Sequence, residues 1–180
     1  MKFIKTKKIV DANARVDKFS LLFTSCFFTG FIPKASGTFG SLFGLLFFYF
    51  NGFQRTEVLL PLIIVCFIIG IPTSKVIMKK YGDDPSVIVI DEVIGMWITV
   101  LVFKILIPES FNISIQYFLI LFFSFRFFDI FKIQPSKYFD KMKSAFGVLM
   151  NDVIAGIYAG IVVYLISLTG LNLLLQKDIF

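Results

Sequence analysis

The sequence predicts an all-α fold, a polytopic membrane helical bundle of about five spans plus a short N-terminal interfacial or re-entrant helix. Three observations lead there. Of the 180 residues 57% are apolar and 17% charged, against ~45–50% and about a quarter in soluble domains. Mean hydropathy is +0.86, which excludes a disordered chain and leaves lipid as the natural solvent. The apolar residues also fall into charge-poor runs of helical length separated by polar stretches, without strand-like alternation.

Residues 1–18 hold six Lys or Arg and read as a basic cytoplasmic segment; 19–180 read as a single membrane-embedded domain. The uncharged run 19–32 has 14 residues, short of the roughly 20 that a ~30 Å hydrocarbon core requires, so it fits an interfacial or re-entrant helix better than a span. The polar residues before it and Lys34 after it argue against a cleaved signal peptide. Five further segments follow, 37–53, 58–72, 89–107, 113–131 and 153–175, joined by polar stretches at 73–86 and 132–151 and by turns at Asn51-Gly52 and Pro108-Glu109. The first two are short and could pair as a hairpin that does not fully cross.

With five spans, fourteen basic residues from Lys2 to Lys143 share one side and only Arg55 and Lys177 the other, with Lys104 and Arg126 inside spans. The positive-inside rule then places the N-terminus in the cytoplasm. The net charge of +6 therefore reads as membrane orientation, and no nucleic-acid partner is expected. Histidine is absent, which removes imidazole catalysis and imidazole metal ligation. Cys26 and Cys66 lie in apolar runs without ligand spacing and read as small hydrophobes.

Against this background the polar residues in and beside the spans require a reason, since an ionisable group at a helix centre costs ~2.5–3.5 kcal/mol. Asp91 and Glu92 open the third span, Arg126 and Asp129 lie near the end of the fourth, and Asp152 immediately precedes the fifth. The derived sidedness puts all five near the cytoplasmic face, together with Asp83, Asp84, Thr38 and Ser41. Taken singly, Asp91 or Asp152 could be a helix-start residue complementing the macrodipole, and Arg126 with Asp129 a structural ion pair. Their shared depth favours a common pocket. Small residues four apart (Gly40 and Gly44, Ala155 and Ala159, Gly156 and Gly160) would let the helices approach closely. Carboxylates gathered in one pocket repel unless protonated or bridged by a cation. With oxygen ligands alone, Mg²⁺ is the natural candidate, and Mg²⁺ favours phosphate.

Four ordered motifs carry a resemblance. They are Gly30-Phe31-Ile32-Pro33-Lys34-Ala35-Ser36-Gly37-Thr38-Phe39-Gly40-Ser41; Asp84-Pro85 followed by Val89-Ile90-Asp91-Glu92-Val93-Ile94-Gly95-Met96-Trp97; Phe125-Arg126-Phe127-Phe128-Asp129-Ile130-Phe131-Lys132; and Gly147-Val148-Leu149-Met150-Asn151-Asp152 continuing to Ala159. In content and order they resemble the phosphatidylglycerophosphatase A family across most of the chain. Ser36, Ile133 and Asn151 depart from its pattern, the last where an acid is usual.

The resemblance implies a multi-pass, Mg²⁺-dependent enzyme of the bacterial inner membrane that removes phosphate from phosphatidylglycerol phosphate on the cytoplasmic side, with a phospholipid as substrate. Carried onto this chain, Asp91, Glu92, Asp129 and Asp152 form the catalytic and metal-binding set, with Asp84 as an outer metal ligand. Lys34, Thr38, Ser41, Arg126 and Lys132 would contact the phosphate. The alternative is a membrane transporter or ion pathway using the intramembrane acids. No internal repeat supports it, and the acids gather toward one face.

Overall fold

A computed structural model describes residues 9–108 and 113–171, with side chains to residue 169. Among these the protein is all-helical, with no strand: α1 (Lys18–Thr24), α2 (Ser36–Leu46), α3 (Thr56–Tyr81), α4 (Ile90–Leu106), α5 (Ile115–Phe131), α6 (Ser136–Asp140) and α7 (Ala145–Ile166). Lys2, Lys5, Lys7, Lys8 and Lys177 lie outside the described residues, as does the end of the expected segment 153–175.

The middle of the bundle is α4, whose 17 residues include twelve that are buried. It packs against α7, α2, α3 and α5. Glycines set these distances. A Cβ on Gly156 would collide with the Gly95 carbonyl, and one on Gly160 would stand 2.8 Å from the Thr99 carbonyl oxygen, so α4 and α7 meet backbone to backbone. On the other flank a Cβ on Gly40 would come within 2.9 Å of Val89 Cβ. Trp97 Nε1 donates to the Gly44 carbonyl oxygen at 2.9 Å, tying α2 to α4. The outer faces stay apolar: Phe27, Phe28, Tyr49, Phe50, Ile68, Phe123, Phe127 and Leu165 are among many large exposed hydrophobics, as lipid contact requires and water does not favour.

Two helices, Thr56–Tyr81 and Ala145–Thr169, are long and apolar enough to cross a membrane. The 17 residues of α4 and of α5 reach about 26 Å each at 1.5 Å per residue, and α2, with its 3₁₀ extension Phe47–Tyr49, is shorter still.

The helix boundaries differ from the expected ones in three places. The run 19–32 is not one helix: α1 stops at Thr24, Cys26, Phe27 and Phe28 all take positive φ, and a 3₁₀ turn occupies Thr29–Phe31. Hydroxyls drive the break, since Thr29 Oγ1 donates to the Ser25 carbonyl at 2.9 Å and Ser25 Oγ accepts from the Phe28 amide at 3.1 Å. The stretch 73–86 is not all loop, because α3 continues through Pro72 to Tyr81. Thr73 Oγ1 donates to the Ile69 carbonyl at 2.7 Å beside the proline, and Ile77 is fully buried, so packing outweighs the missing backbone donor. Finally, α7 begins at Ala145, where Ser144 caps it by accepting from the Gly147 amide at 3.1 Å. Asp152 thus lies about two turns inside a helix rather than just before one.

This last shift excludes a simple helix-start role for Asp152, because its charge sits past the turn where the macrodipole acts. The packing also ranks glycine substitutions. Gly156→Ala drives a methyl into the Gly95 carbonyl and is expected to cost about 1–3 kcal/mol. Gly44→Ala, whose nearest neighbour is Val93 Cα at 3.3 Å, should cost less. Thermal unfolding in detergent is the measurement, and the order of the two losses is the expected outcome.

Candidate active site

Chain order brings one end of each long helix to the same place: the starts of α2, α4 and α7, the end of α5, and the loop after α3. There a cavity of about 310 Å³ is lined by Ser36 and Gly37, by Asp84 and Ser86, by Asp91 and Glu92, by Asp129 and Lys132, and by Asp140, Asn151 and Asp152. Five of these residues, Asp84, Asp91, Glu92, Asp129 and Asp152, are the acids expected to converge.

Three of them close on one point. One oxygen from each of Glu92, Asp129 and Asp152 lies within 4.8 Å of the others, a spacing that suits a divalent cation. Asp91 and Asp84 line the same cavity but stand outside this group. Asp91 is buried, and its Oδ1 accepts from the Glu92 amide at 3.0 Å across the first turn of α4. Asp84, in the loop, is exposed at the rim and has a positive φ.

Arg126 is the counter-charge. Its Nη1 is paired with Glu92 and lies 3.0 Å from Asp129 Oδ2. Behind them Ser41 Oγ donates to Glu92 Oε2 at 3.1 Å and contacts the Gly37 carbonyl at 2.9 Å. Gly37 has a steric reason here: a Cβ would fall on Glu92 Oε1 and stand 3.2 Å from Arg126 Nη1. The end of α2 can therefore press directly on the ion pair. Among the described residues no side chain caps α2, whose N-cap Ala35 is left-handed, and Ser36 and Gly37 at its start line the cavity, a terminus of the kind that favours anions.

A second pair, Lys132 with Asp140, holds α6 beside the end of α5. Partial burial works against the Lys132 ammonium, but its hydrogen bond to Asp140 and the charges of Asp140, Asp84 and Asp129 prevail and hold it above its ordinary pKa. Asn151, standing where an acid is usual, donates to Asp152 Oδ1 at 3.0 Å while its carbonyl accepts from buried Ser136. It orients Asp152 and its oxygen is already engaged. Among the described residues Asp152 Oδ2 is buried with no partner, a costly state that a bound cation would relieve. Arg126 Nε is likewise buried and unpartnered.

Of the expected phosphate contacts, Lys132 lines the cavity, whereas Arg126 and Ser41 stand behind the carboxylates they brace. Lys34 is exposed and Thr38 half-buried, both outside the lining. Sequence reasoning missed Asp140 and Ser136. Both lie in a lysine-rich stretch whose charges read as a topology signal, and only the fold of α6 against α7 brings them in.

Known proteins resemble this chain over most of its length. The family model for phosphatidylglycerophosphatase A matches residues 22–167. The chain is 37% identical over 144 residues to phosphatidylglycerophosphatase A of Haemophilus influenzae, covering 78% of this chain and 84% of that one. It is 30% identical over 143 residues to phosphatidylglycerophosphatase A of Escherichia coli, covering 78% and 79%. A Bacteroides thetaiotaomicron protein named "Putative phosphatidylinositol-3-phosphatase" is 31% identical over 142 residues, covering 76% and 86%. No solved structure gives a significant match.

The geometry separates structural from superficial ion pairs. Arg126→Met leaves Glu92 and Asp129 facing each other without their counter-charge and should destabilise the fold by about 3–5 kcal/mol. Lys143→Ala removes only an exposed partner 3.8 Å from Asp83 and should change stability by less than about 1 kcal/mol. Thermal melts of both variants, with Mg²⁺ absent, make the comparison.

Proposed function

The chain belongs to the phosphatidylglycerophosphatase A family, and on that premise we propose that it hydrolyses phosphatidylglycerol phosphate to phosphatidylglycerol and inorganic phosphate in a Mg²⁺-dependent reaction. The observation that carries this reading is the meeting of Glu92, Asp129 and Asp152 within 4.8 Å at the end of a bundle with apolar flanks. It is the place where the headgroup of a bilayer lipid can reach a polar cavity while its chains stay in hydrocarbon.

Glu92, Asp129 and Asp152 would hold the metal, with Asp91 beside them and Asp84 at the rim. All three donors are hard oxygens, and the unpartnered Asp152 Oδ2 points to a missing positive charge, so the donor set fits Mg²⁺. When bound, the ion supplies Lewis-acid polarisation of the phosphoryl oxygens and lowers the pKa of water.

The other parts of the reaction belong to the polypeptide. Arg126 braces Glu92 and Asp129 from behind and offsets their charge, while Lys132 and the uncapped start of α2 receive the phosphate oxygens. Lys34 offers a further cation at the mouth, and Thr38 and Ser41 shape the α2 end behind it. A water in line with the lipid C–O–P linkage attacks phosphorus, a carboxylate of the cavity takes its proton, and the P–O bond to the glycerol breaks as the lipid alkoxide is protonated. Catalysis is then mostly positioning and charge.

The membrane arrangement follows the same logic. Lys34, Lys75, Lys79, Lys80, Lys132, Lys137, Lys141 and Lys143 all lie toward the cavity end of their helices, and Arg55 opens α3 at the opposite end. By the positive-inside rule this distribution favours a cytoplasmic site, and the proposed setting is a bacterial inner membrane crossed by about five spans, with α2 and α3 as the hairpin that begins them. A transporter would need polar groups along a path through the bundle, whereas these gather at one end.

The test is release of inorganic phosphate by detergent-solubilised protein from phosphatidylglycerol phosphate, phosphatidylinositol 3-phosphate and phosphatidic acid. Phosphatidylglycerol phosphate is expected to be turned over fastest, with activity lost in EDTA and restored by Mg²⁺. Asp91→Asn and Asp129→Asn should each abolish release while membrane insertion persists. Full activity in both variants contradicts the site, and a preference for another lipid contradicts the substrate.

A further inference from the structure

Helix α2 with its 3₁₀ extension approaches α5 at two levels. Near the site Arg126 Nη1 lies 3.5 Å from Ser41 Oγ, and farther along the rings of Phe48 and Phe118 stand 5.4 Å apart. Around the second contact lies a groove of about 710 Å³, whose lining includes Phe39, Leu42 and Leu46 on α2 and Ile115 and Leu119 on α5. All five are exposed, and they offer only hydrocarbon to an occupant.

Length and direction identify the occupant. From Phe39 to Tyr49 the chain rises about 15 Å at 1.5 Å per residue, half of the ~30 Å hydrocarbon core and hence the depth of one leaflet. On α5 the residues Ile115, Leu119, Phe122 and Arg126 succeed one another at steps of four, three and four, so they share one helix face. The groove's α5 lining stops at Leu119, and the same helix face continues to Arg126, which pairs with Glu92 and Asp129; on α2, Gly37 lines the carboxylate cavity and Phe39, two residues on, lines the groove. We infer that this groove seats one acyl chain of the phosphorylated lipid whose headgroup enters the carboxylate cavity, with Phe39, Leu42, Leu46 and Leu119 setting the preferred chain length. The inference rests on the lipid-phosphatase reading given above and adds to it the element that selects the hydrophobic part of the substrate.

The experiment compares long-chain with dihexanoyl phosphatidylglycerol phosphate in mixed micelles. Leu42→Trp and Leu46→Trp fill the groove and should lower kcat/KM for the long-chain substrate by about tenfold while leaving the short-chain value unchanged. Val65→Trp, on the exposed face of α3, should alter neither. A second measurement is independent of turnover: a phosphonate analogue of the substrate with a diazirine on its acyl chain, set against phosphatidylglycerol carrying the same chain. Photolabelling of residues 39–49 should be several-fold stronger with the phosphonate. Equal loss on both chain lengths, no loss on either, or equal labelling by the two lipids, as for a groove filled by bulk lipid or a second copy, overturns the inference. Should the wild type release no phosphate from any lipid, the reaction assignment fails, and the labelling ratio still decides the groove.

Discussion

Carboxylates packed into one end of a bundle whose flanks are hydrocarbon repel one another, and this charge balance governs the arrangement around them. Arg126 offsets Glu92 and Asp129 directly, yet Asp152, only 2% exposed, keeps one oxygen with no partner among the described residues. A single guanidinium does not neutralise three acids. The remaining negative charge has to be met by a cation, by protonation or by substrate-side lysines, and the choice among these sets what the cavity does. Oxygen donors at divalent-ion spacing favour the first, and a phosphate ester is the ligand such a pairing attracts.

The apolar architecture exists in the service of that cavity. Gly95 and Gly156 bring α4 and α7 into backbone contact, and a Cβ on Gly95 would stand 2.9 Å from the carbonyl oxygen of Asp152 itself. The same close approach on the α2 side sets Gly37 against Glu92. Small residues thus do two things at once: they replace the hydrophobic drive that lipid cannot provide between helices, and they fix acids from three separate helices within a few ångströms. On the proposed function, the apolar exterior would complete the arrangement by keeping substrate and site at one depth.

Much of this was readable from the order of residues. Helix α4 was expected at 89–107 and runs Ile90–Leu106, because its apolar run is bounded by charged and proline residues. The convergence of acids could be read because ionisable residues are rare in such helices, so each exception carries information. Other features were hidden for physical reasons. The displacement of the α7 start from 153 to Ala145 depends on a serine cap within a polar stretch, and α3 passes Pro72 because tertiary burial of Ile77 overrides local propensity. Asp140 and Ser136 could not be distinguished from ordinary loop residues until α6 folded against α7. Lys34 and Thr38 belong to the most recognisable motif yet lie outside the cavity lining, since motif membership says nothing of which way a residue faces.

The proposed chemistry depends on a divalent ion shared by acids from α4, α5 and α7. Electron paramagnetic resonance of Mn²⁺ added to the detergent-solubilised protein measures this directly. A single saturable site per chain is predicted, displaced by Mg²⁺ and lost in Glu92→Gln, Asp129→Asn and Asp152→Asn but retained in Lys143→Ala. Undiminished Mn²⁺ binding in the three acidic variants, or no specific binding to the wild type, would contradict it.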